Sequence, residues 1–441
     1  MYQLHLVSLG CPKNLVDSEL MLGSLQKAGY QVVQDPERAD LLLVNTCGFI
    51  QSAVEEGIDE ILELVQIKKQ FPKKKLVVTG CLVQRYKEKL VKELPEVDLL
   101  IGTEGAKDIL TPINRLMVGK EQPSPQLPAR FLMDADMERQ LSTPFFRAWL
   151  KITEGCSNCC SYCMIPTIRG SLRSREIDDL VTEAIRLELQ GVRELTLIAQ
   201  DLTAFGAEKG EAQLAELISR LLETTAIPWL RLLYLYPEGI DERLLKLMAR
   251  QSRLVPYLDI PFQHVSNAVL KGMNRRYCRD DLYRLIDTIR TLMPDCALRT
   301  TFLLGFPGET DADIKMLEDF ITEVQLDHVG VFGYTNEEGC PSEFFPDQCS
   351  AAVKQERIDH ILSLQASVSE KVLRKYIGRV EPVLVRGCSR ETDLLLEGRT
   401  RYQAPEIDGC VYITDGWAEP GEIVQVRITD AKVYDLIGVI E

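Results

Sequence analysis

Over roughly the first hundred residues, short apolar blocks alternate with longer stretches of helical periodicity. The blocks are Leu4–Leu9, Leu41–Val44, Leu76–Thr79 and a shorter one at Leu99–Ile101; helical patterns lie between them at Leu15–Ala28, Ala53–Ile67 and Tyr86–Glu93. An uninterrupted apolar block is what a strand covered on both faces requires, and strand–helix alternation predicts a mostly parallel sheet with helices on its faces. Gly119 to Pro144 then carries Pro123, Pro125, Pro128 and Pro144 among polar residues, which suits an interdomain connection.

The pattern resumes with apolar blocks at Trp149–Ile152, Leu195–Ile198, Leu230–Tyr236, Pro256–Ile260, Leu298–Leu304 and Val329–Tyr334, separated by helical stretches such as Ile177–Gln190 and Leu214–Thr224. Such units predict a partial (β/α)6 barrel, short of the full eight. A long amphipathic helix, Ala351–Lys375, leaves it. The tail alternates short strands with turn signals (Glu381–Arg386, Val411–Thr414, Ile423–Thr429), which predicts a small antiparallel β-barrel of the OB-like kind. The expected fold class is therefore α/β with an appended β-barrel. Its divisions are 1–120, a linker over 121–144, 145–375 and 376–441.

Composition narrows the class without changing that picture. Apolar residues make up 45% and charged residues 27% of 441, ordinary for a soluble globular chain. No apolar run is long enough to span a bilayer, and Met1-Tyr2-Gln3-Leu4-His5 is not the start of a signal peptide. The expected place is the cytoplasm, with no membrane partner. A net charge of −15 argues against general nucleic-acid binding and favours a basic protein partner. Thirteen cysteines in such a chain point to metal ligands where they cluster and to packing where they do not.

They cluster most tightly at Glu154-Gly155-Cys156-Ser157-Asn158-Cys159-Cys160-Ser161-Tyr162-Cys163, directly after the first barrel strand. Cys156, Cys160 and Cys163 have C-x3-C-x2-C spacing. Three thiolates on one loop can hold three irons of a cubane cluster and leave the fourth open to a small molecule. A structural zinc loop would want a fourth ligand, and no second knuckle follows. Cys159 stands outside the three-ligand pattern. The segment resembles the radical S-adenosylmethionine (SAM) superfamily, in which the open iron chelates SAM and electron transfer cleaves it to a 5′-deoxyadenosyl radical. Tyr162 occupies the aromatic position typical before the last cysteine. The same resemblance makes Gly305 and Glu309, in Gly305-Phe306-Pro307-Gly308-Glu309, and Gln200 and Asp201, just after a strand, candidates for SAM contacts. The plainer readings are a strand-to-helix turn for the glycines and a helix cap for Asp201. Arg299, on an apolar strand, is placed either to pair a carboxylate in the barrel or on the surface. His264 is near a strand end and is assigned no role.

Cys11, Cys47 and Cys81 are far apart in sequence, yet each follows an apolar block: Leu6-Val7-Ser8-Leu9-Gly10-Cys11, Leu43-Val44-Asn45-Thr46-Cys47 and Val77-Val78-Thr79-Gly80-Cys81. In a parallel sheet the carboxyl ends of the strands share one edge, where doubly wound sheets bind ligands. The three cysteines therefore converge, and Gly10, Gly48 and Gly80 allow tight loops around a bulky group. With Pro12-Lys13-Asn14-Leu15-Val16-Asp17-Ser18-Glu19, Gly48-Phe49-Ile50 and Thr79-Gly80-Cys81-Leu82, these segments resemble the methylthiotransferase family of radical SAM enzymes over essentially the whole chain. The resemblance implies an N-terminal cluster domain, a radical SAM domain and a C-terminal TRAM barrel. It also implies two 4Fe-4S clusters: one on Cys156, Cys160 and Cys163 for SAM cleavage, the other on Cys11, Cys47 and Cys81 for the sulfur. An external one-electron donor is needed.

Pro12-Lys13-Asn14 and Gly48-Phe49-Ile50 are similar to the branch that modifies the β-carbon of an aspartate in small-subunit ribosomal protein twelve, free or on the ribosome. The tRNA adenosine-modifying branch is the alternative. A non-catalytic iron–sulfur scaffold or redox protein and a zinc-stabilised adaptor are the other two. The tail's charge bears on the choice. Tyr376–Glu441 holds 7 Lys and Arg against 12 Asp and Glu, which suits a basic ribosomal protein better than phosphate.

Overall fold

The computed structural model describes residues 2–119 and 125–441. Strands β1 (Gln3–Ser8), β2 (Gln31–Val32), β3 (Leu41–Thr46), β4 (Lys75–Gly80), β5 (Leu99–Ile101) and β6 (Pro125–Gln126) form a parallel sheet ordered β2-β1-β3-β4-β5-β6. Every residue of β3 is buried. Leu42 and Val44 enter the core on one face, and Leu41 and Leu43 enter the core on the other. That double burial explains an apolar block without alternation. The stretch read as one helix over Tyr86–Glu93 is instead two, Cys81–Tyr86 and Glu88–Glu93, broken at Lys87, whose φ is +47°.

The Pro-rich connection is pinned to both domains. Pro125 and Gln126 pair with β5. Arg139 bridges Glu19 of the first domain and Glu183 of the second. Residues 121–124 of the expected linker, with Pro123, lie outside the described residues.

The middle sheet contains β7 (Arg147–Lys151), β10 (Glu194–Ile198), β11 (Trp229–Leu232), β12 (Leu254–Asp259), β13 (Ala297–Leu304) and β14 (His328–Gly333). All are parallel in the order β14-β13-β12-β11-β10-β7. A short antiparallel pair, β8 (Thr153–Glu154) and β9 (Arg173–Ser174), brackets the cysteine loop. Helices cover the outer face. On the inner face Trp149, Trp229, Val255 and Tyr257 share a core with the C-terminal barrel.

That barrel is closed in the order β15-β16-β17-β19-β18, from β15 (Val380–Cys388), β16 (Leu396–Thr400), β17 (Val411–Asp415), β18 (Ile423–Ala431) and β19 (Leu436–Ile440). Its ladders are antiparallel except β17–β19, which is parallel. It is held to the middle sheet by buried polar contacts. Glu194 pairs with Arg399 and, at 2.7 Å, with Arg231; Tyr257 donates to Asp408 at 2.7 Å. Arg299 does meet carboxylates, Asp259 of the same sheet at 2.9 Å and Asp408 of the C-terminal barrel at 3.5 Å. Among the described residues no helix is long and apolar enough to cross a membrane.

Candidate functional site: two cysteine triads facing one junction

The first triad lies at the carboxyl edge of the N-terminal sheet. Cys11 precedes the helix Pro12–Lys27, Cys47 follows β3, and Cys81 follows β4. The loops touch. A Cβ on Gly10 would lie 2.8 Å from the Cys47 Cβ, and one on Gly48 would lie 2.8 Å from the Cys81 backbone. Gly80, at φ +100°, has Asn45 Oδ1 where its own Cβ would be, 2.4 Å away. The polar motif residues hold these strand ends in register. Asn14 donates to Leu9 O at 2.7 Å, Asn45 donates to Asn14 O at 2.9 Å and to Ser18 Oγ at 2.8 Å, and Thr46 donates to Thr79 O at 2.6 Å. Burial pushes the Cys81 thiol up to about 12 against the pull of Arg169, and the charges of Cys47 and Cys11 reach it. Cys47 is raised by burial too.

The second triad is on the loop between β8 and the helix Ile165–Arg169. Gly155, at φ +74°, folds the loop back so that Cys156 N donates to Gly170 O at 3.0 Å. Asn158 donates to Asp201 at 2.8 Å, and Ser161 donates to Gly272 O at 2.8 Å. Burial raises Cys156 to about 11 and Cys163 to about 12, and both feel the charge of Cys160. Cys159 is exposed, and its thiol contacts Ser157 O at 3.7 Å.

These thiols suit an iron–sulfur cluster. Bare, Cys47, Cys81, Cys156 and Cys163 resist ionisation because they are desolvated, whereas metal ligation deprotonates a thiol outright. Among the described residues no three His, Cys, Asp or Glu side chains are drawn together as ligands of one metal ion. A cubane, by contrast, takes each thiolate on a different iron and spaces them more widely.

The remaining expected site residues divide by how their polar atoms are spent. Asp201 accepts from Asn158 and, through its other oxygen, from Thr203 N at 3.0 Å, so it both caps a turn and holds the cysteine loop. Glu309 is fully buried. It accepts from Gly305 N at 2.9 and 3.0 Å and from Arg357 at 2.8 Å, and it lies 3.4 Å from His264 Nε2. Its carboxylate closes the turn that begins at Gly305, φ +76°. Tyr162 packs edge-on against Phe306 of that turn and bonds Arg275 through its hydroxyl. Gln200 differs from these, since its buried Oε1 has no hydrogen-bond partner among the described residues. It is an unspent acceptor beside the cysteine loop.

Sequence reasoning did not single out the charged residues between the triads. Arg169, 2% exposed, donates to Glu154 at 3.0 Å, to Asn14 at 3.2 Å and to Cys81 Sγ at 3.5 Å, and pairs with Asp17 at 2.9 Å. Lys151 pairs with Asp17 and with Glu154, the latter at 2.9 Å. Arg275 lies among the rings of Tyr236, Tyr162 and Tyr277, with centroids 4.9, 5.7 and 5.9 Å away. Lys13 sits on the Tyr234 ring. The available signal was charge directly beside cysteines: Lys13 two residues after Cys11, Glu154 two before Cys156, and Arg169 at the end of the helix after Cys163.

A cysteine-edged parallel sheet, a partial barrel with a second cysteine loop at its mouth, and a closed five-stranded barrel define a radical SAM protein with an appended TRAM domain. Family models agree: residues 3–102 match Uncharacterized protein family UPF0004, 150–321 the Radical SAM superfamily and 377–440 the TRAM domain. The chain is 57% identical to the ribosomal protein uS12 methylthiotransferase RimO of Desulfotalea psychrophila, over 98% of each chain. It is 50% identical to the RimO of Geotalea uraniireducens, over 99% of this chain and 98% of that one. The chain belongs to the uS12 methylthiotransferase family of radical SAM enzymes. Its fold is also similar to that of the radical SAM methyltransferase TsrM from Kitasatospora setae, solved with cobalamin and a [4Fe-4S] cluster. That match has TM-score 0.57 and 16% identity, and covers 75% of this chain and 72% of that one.

Proposed function

We propose that this chain adds a methylthio group to the β-carbon of an aspartate in ribosomal protein uS12, in the cytoplasm, with two 4Fe-4S clusters, SAM and electrons from an external donor. Cys156, Cys160 and Cys163 hold the SAM-cleaving cluster, and Cys11, Cys47 and Cys81 hold the second. Bound there, these groups supply a 5′-deoxyadenosyl radical, able to take hydrogen from an unactivated C–H bond, and a sulfur to be methylated and transferred. Residues 1–120 then form the second cluster's domain, 121–144 the linker, 145–375 the radical SAM domain and 376–441 the TRAM domain.

The protein's part is placement and exclusion. Gln200 offers SAM its unspent acceptor. Tyr162 and the Gly305 turn wall the same space, while Asp201 and Glu309 keep the loops from moving. The observation that carries the reading is the Asp17–Lys151–Glu154–Arg169 network, which ties the helix after Cys11 to the residues on either side of the Cys156–Cys163 loop. The tail's 12 acidic against 7 basic residues support a basic protein substrate rather than tRNA.

The test is a competition. Enzyme reconstituted anaerobically with iron and sulfide receives SAM and a strong reductant, with a uS12 peptide or bulk tRNA, and products are read by mass spectrometry. A methylthio gain on the peptide alone is expected. A gain on tRNA alone overturns the substrate and the charge argument.

A further inference from the structure

Although the chain carries a net charge of −15, its acidity stops beside the central cysteine loop. Between Asp259 and Asp280 there is no acidic residue, and Lys271, Arg275, Arg276 and Arg279 are basic. Arg275 turns inward to the tyrosine rings, and Arg279 opens the helix Arg279–Leu292. Lys271 and Arg276 are exposed, as is Asn274 between them. Among the described residues neither cation lies within ion-pair distance of a carboxylate, whereas Arg284, further along, pairs with Asp281. Asp281 also accepts from Cys278 N at 2.8 Å, so it is spent on its own helix.

This basic segment is fastened to the cysteine loop itself. Asn274 donates through Nδ2 to Cys159 O at 2.6 Å, Ser161 N donates to Met273 O at 3.1 Å, and Ser161 Oγ donates to Gly272 O at 2.8 Å. The loop reaches the surface along that seam, where Ser157 and Cys159 are exposed. Electron tunnelling falls steeply with distance, so a donor has to dock where the loop meets solvent. Positive charges that no internal carboxylate neutralises draw in an acidic partner and orient it.

We propose that Lys271, Asn274 and Arg276 form the docking surface for the external electron donor, a small redox protein with an acidic face. The inference rests on the reading of Cys156, Cys160 and Cys163 as the SAM-cleaving centre. One electron leaves the donor, which is oxidised, and reduces SAM, whose C–S bond breaks to give methionine and the 5′-deoxyadenosyl radical. Lys271 and Arg276 hold the donor's carboxylates, and Asn274 ties the surface between them to the loop.

The probe is a strongly acidic plant-type 2Fe–2S ferredoxin. Labelled oxidised ferredoxin is titrated with oxidised, cluster-loaded enzyme and SAM, and binding is read by fluorescence anisotropy. Separately, chemically reduced ferredoxin freed of its reductant drives SAM cleavage, read as 5′-deoxyadenosine. K271E/R276E is expected to weaken binding, and to lower kcat/KM for ferredoxin, by about ten- to a hundredfold at low ionic strength, a difference that closes as salt is raised. Cleavage driven by saturating dithionite should be unchanged. R193E/R250E makes the same change of net charge on exposed residues before β10 and β12, at the amino end of the sheet, and should behave as wild type. Should K271E/R276E fail to load iron, K271Q/R276Q carries the same test with a smaller expected loss. Ferredoxin that does not bind wild type, or that binds and reduces K271E/R276E equally well, overturns the proposal and leaves the SAM-cleaving centre standing; so does an equal loss in R193E/R250E. A single-stranded RNA oligomer that outcompetes ferredoxin on wild type and not on K271E/R276E overturns it in favour of a nucleic-acid contact. Wild type that cleaves no SAM with dithionite overturns the reading of the central loop and this inference together.

Discussion

The Arg169 guanidinium lies 3.5 Å from the Cys81 sulfur, across 88 residues of chain and a domain boundary. Arg169 belongs to the helix that follows the central cysteine loop; Cys81 belongs to the edge of the N-terminal sheet. Its remaining contacts, to Asp17, Asn14 and Glu154, divide between the same two domains. One side chain therefore sets where one triad stands relative to the other.

Arg169→Leu should be costly. It leaves Asp17 and Glu154 sharing Lys151 alone in a buried site, and removing one partner of a buried ion network costs about 3–5 kcal/mol. The expected result in thermal melts is a lower Tm. In reconstitution assays the variant should also lose iron at the N-terminal triad. Arg169→Lys should recover part of the stability but not the four-way contact, which needs a planar fork.

The two triads should separate by function. Cys156→Ala should abolish reductive SAM cleavage, read as 5′-deoxyadenosine. Cys47→Ala should leave cleavage in place and stop methylthio transfer to the peptide. Cleavage retained in the first variant would overturn the assignment of the central loop; transfer retained in the second would overturn the sulfur role.

Gly80→Ala tests the loop geometry. A methyl there would sit 2.4 Å from Asn45 Oδ1 and 2.5 Å from Thr46 O, at a φ of +100°. Side chains adopt that φ at a cost of about 1–3 kcal/mol. Displacement of Cys81 should lower iron bound per chain towards that of a single cluster, and iron and sulfide analysis measures it directly.

Glu194 predicts a pH dependence for the docking of the C-terminal barrel. Burial pushes its carboxyl up, but Arg399 and Arg231 outweigh burial and hold it at about 2, below its ordinary 4.5. The folded value is depressed, so this stabilisation is fully present above pH 4.5 and is lost as pH falls towards 2. The shift corresponds to about 3 kcal/mol. Glu194→Gln should therefore destabilise the protein most at neutral pH. Urea unfolding of the two proteins should converge as the pH is lowered from 7 to 3.

Much of the architecture was legible along the chain. Parallel strands covered on both faces leave apolar blocks, and all four expected in the first domain became strands. The six expected in the middle became its sheet. The cysteine edge was legible for the same reason: in a parallel sheet, residues that each follow a strand must share an edge, whatever their separation in sequence. The break at Lys87 was not, because a single left-handed residue leaves no periodic trace. Asp201 and Glu309 stood out as charged residues at strand ends, but whether a carboxylate meets a ligand or its own loop depends on which N–H groups surround it.

The sequence by itself determined the two parallel sheets, the appended barrel, the two cysteine triads and the family, because periodicity, spacing and motif are properties of the chain read in order. Only the tertiary structure decided what stands between the triads. Asp17, Lys151, Glu154 and Arg169 pair across a boundary, and Lys13 sits on the ring of Tyr234. Electrostatic partnership depends on distance and burial in space, and no one-dimensional pattern records which charges meet.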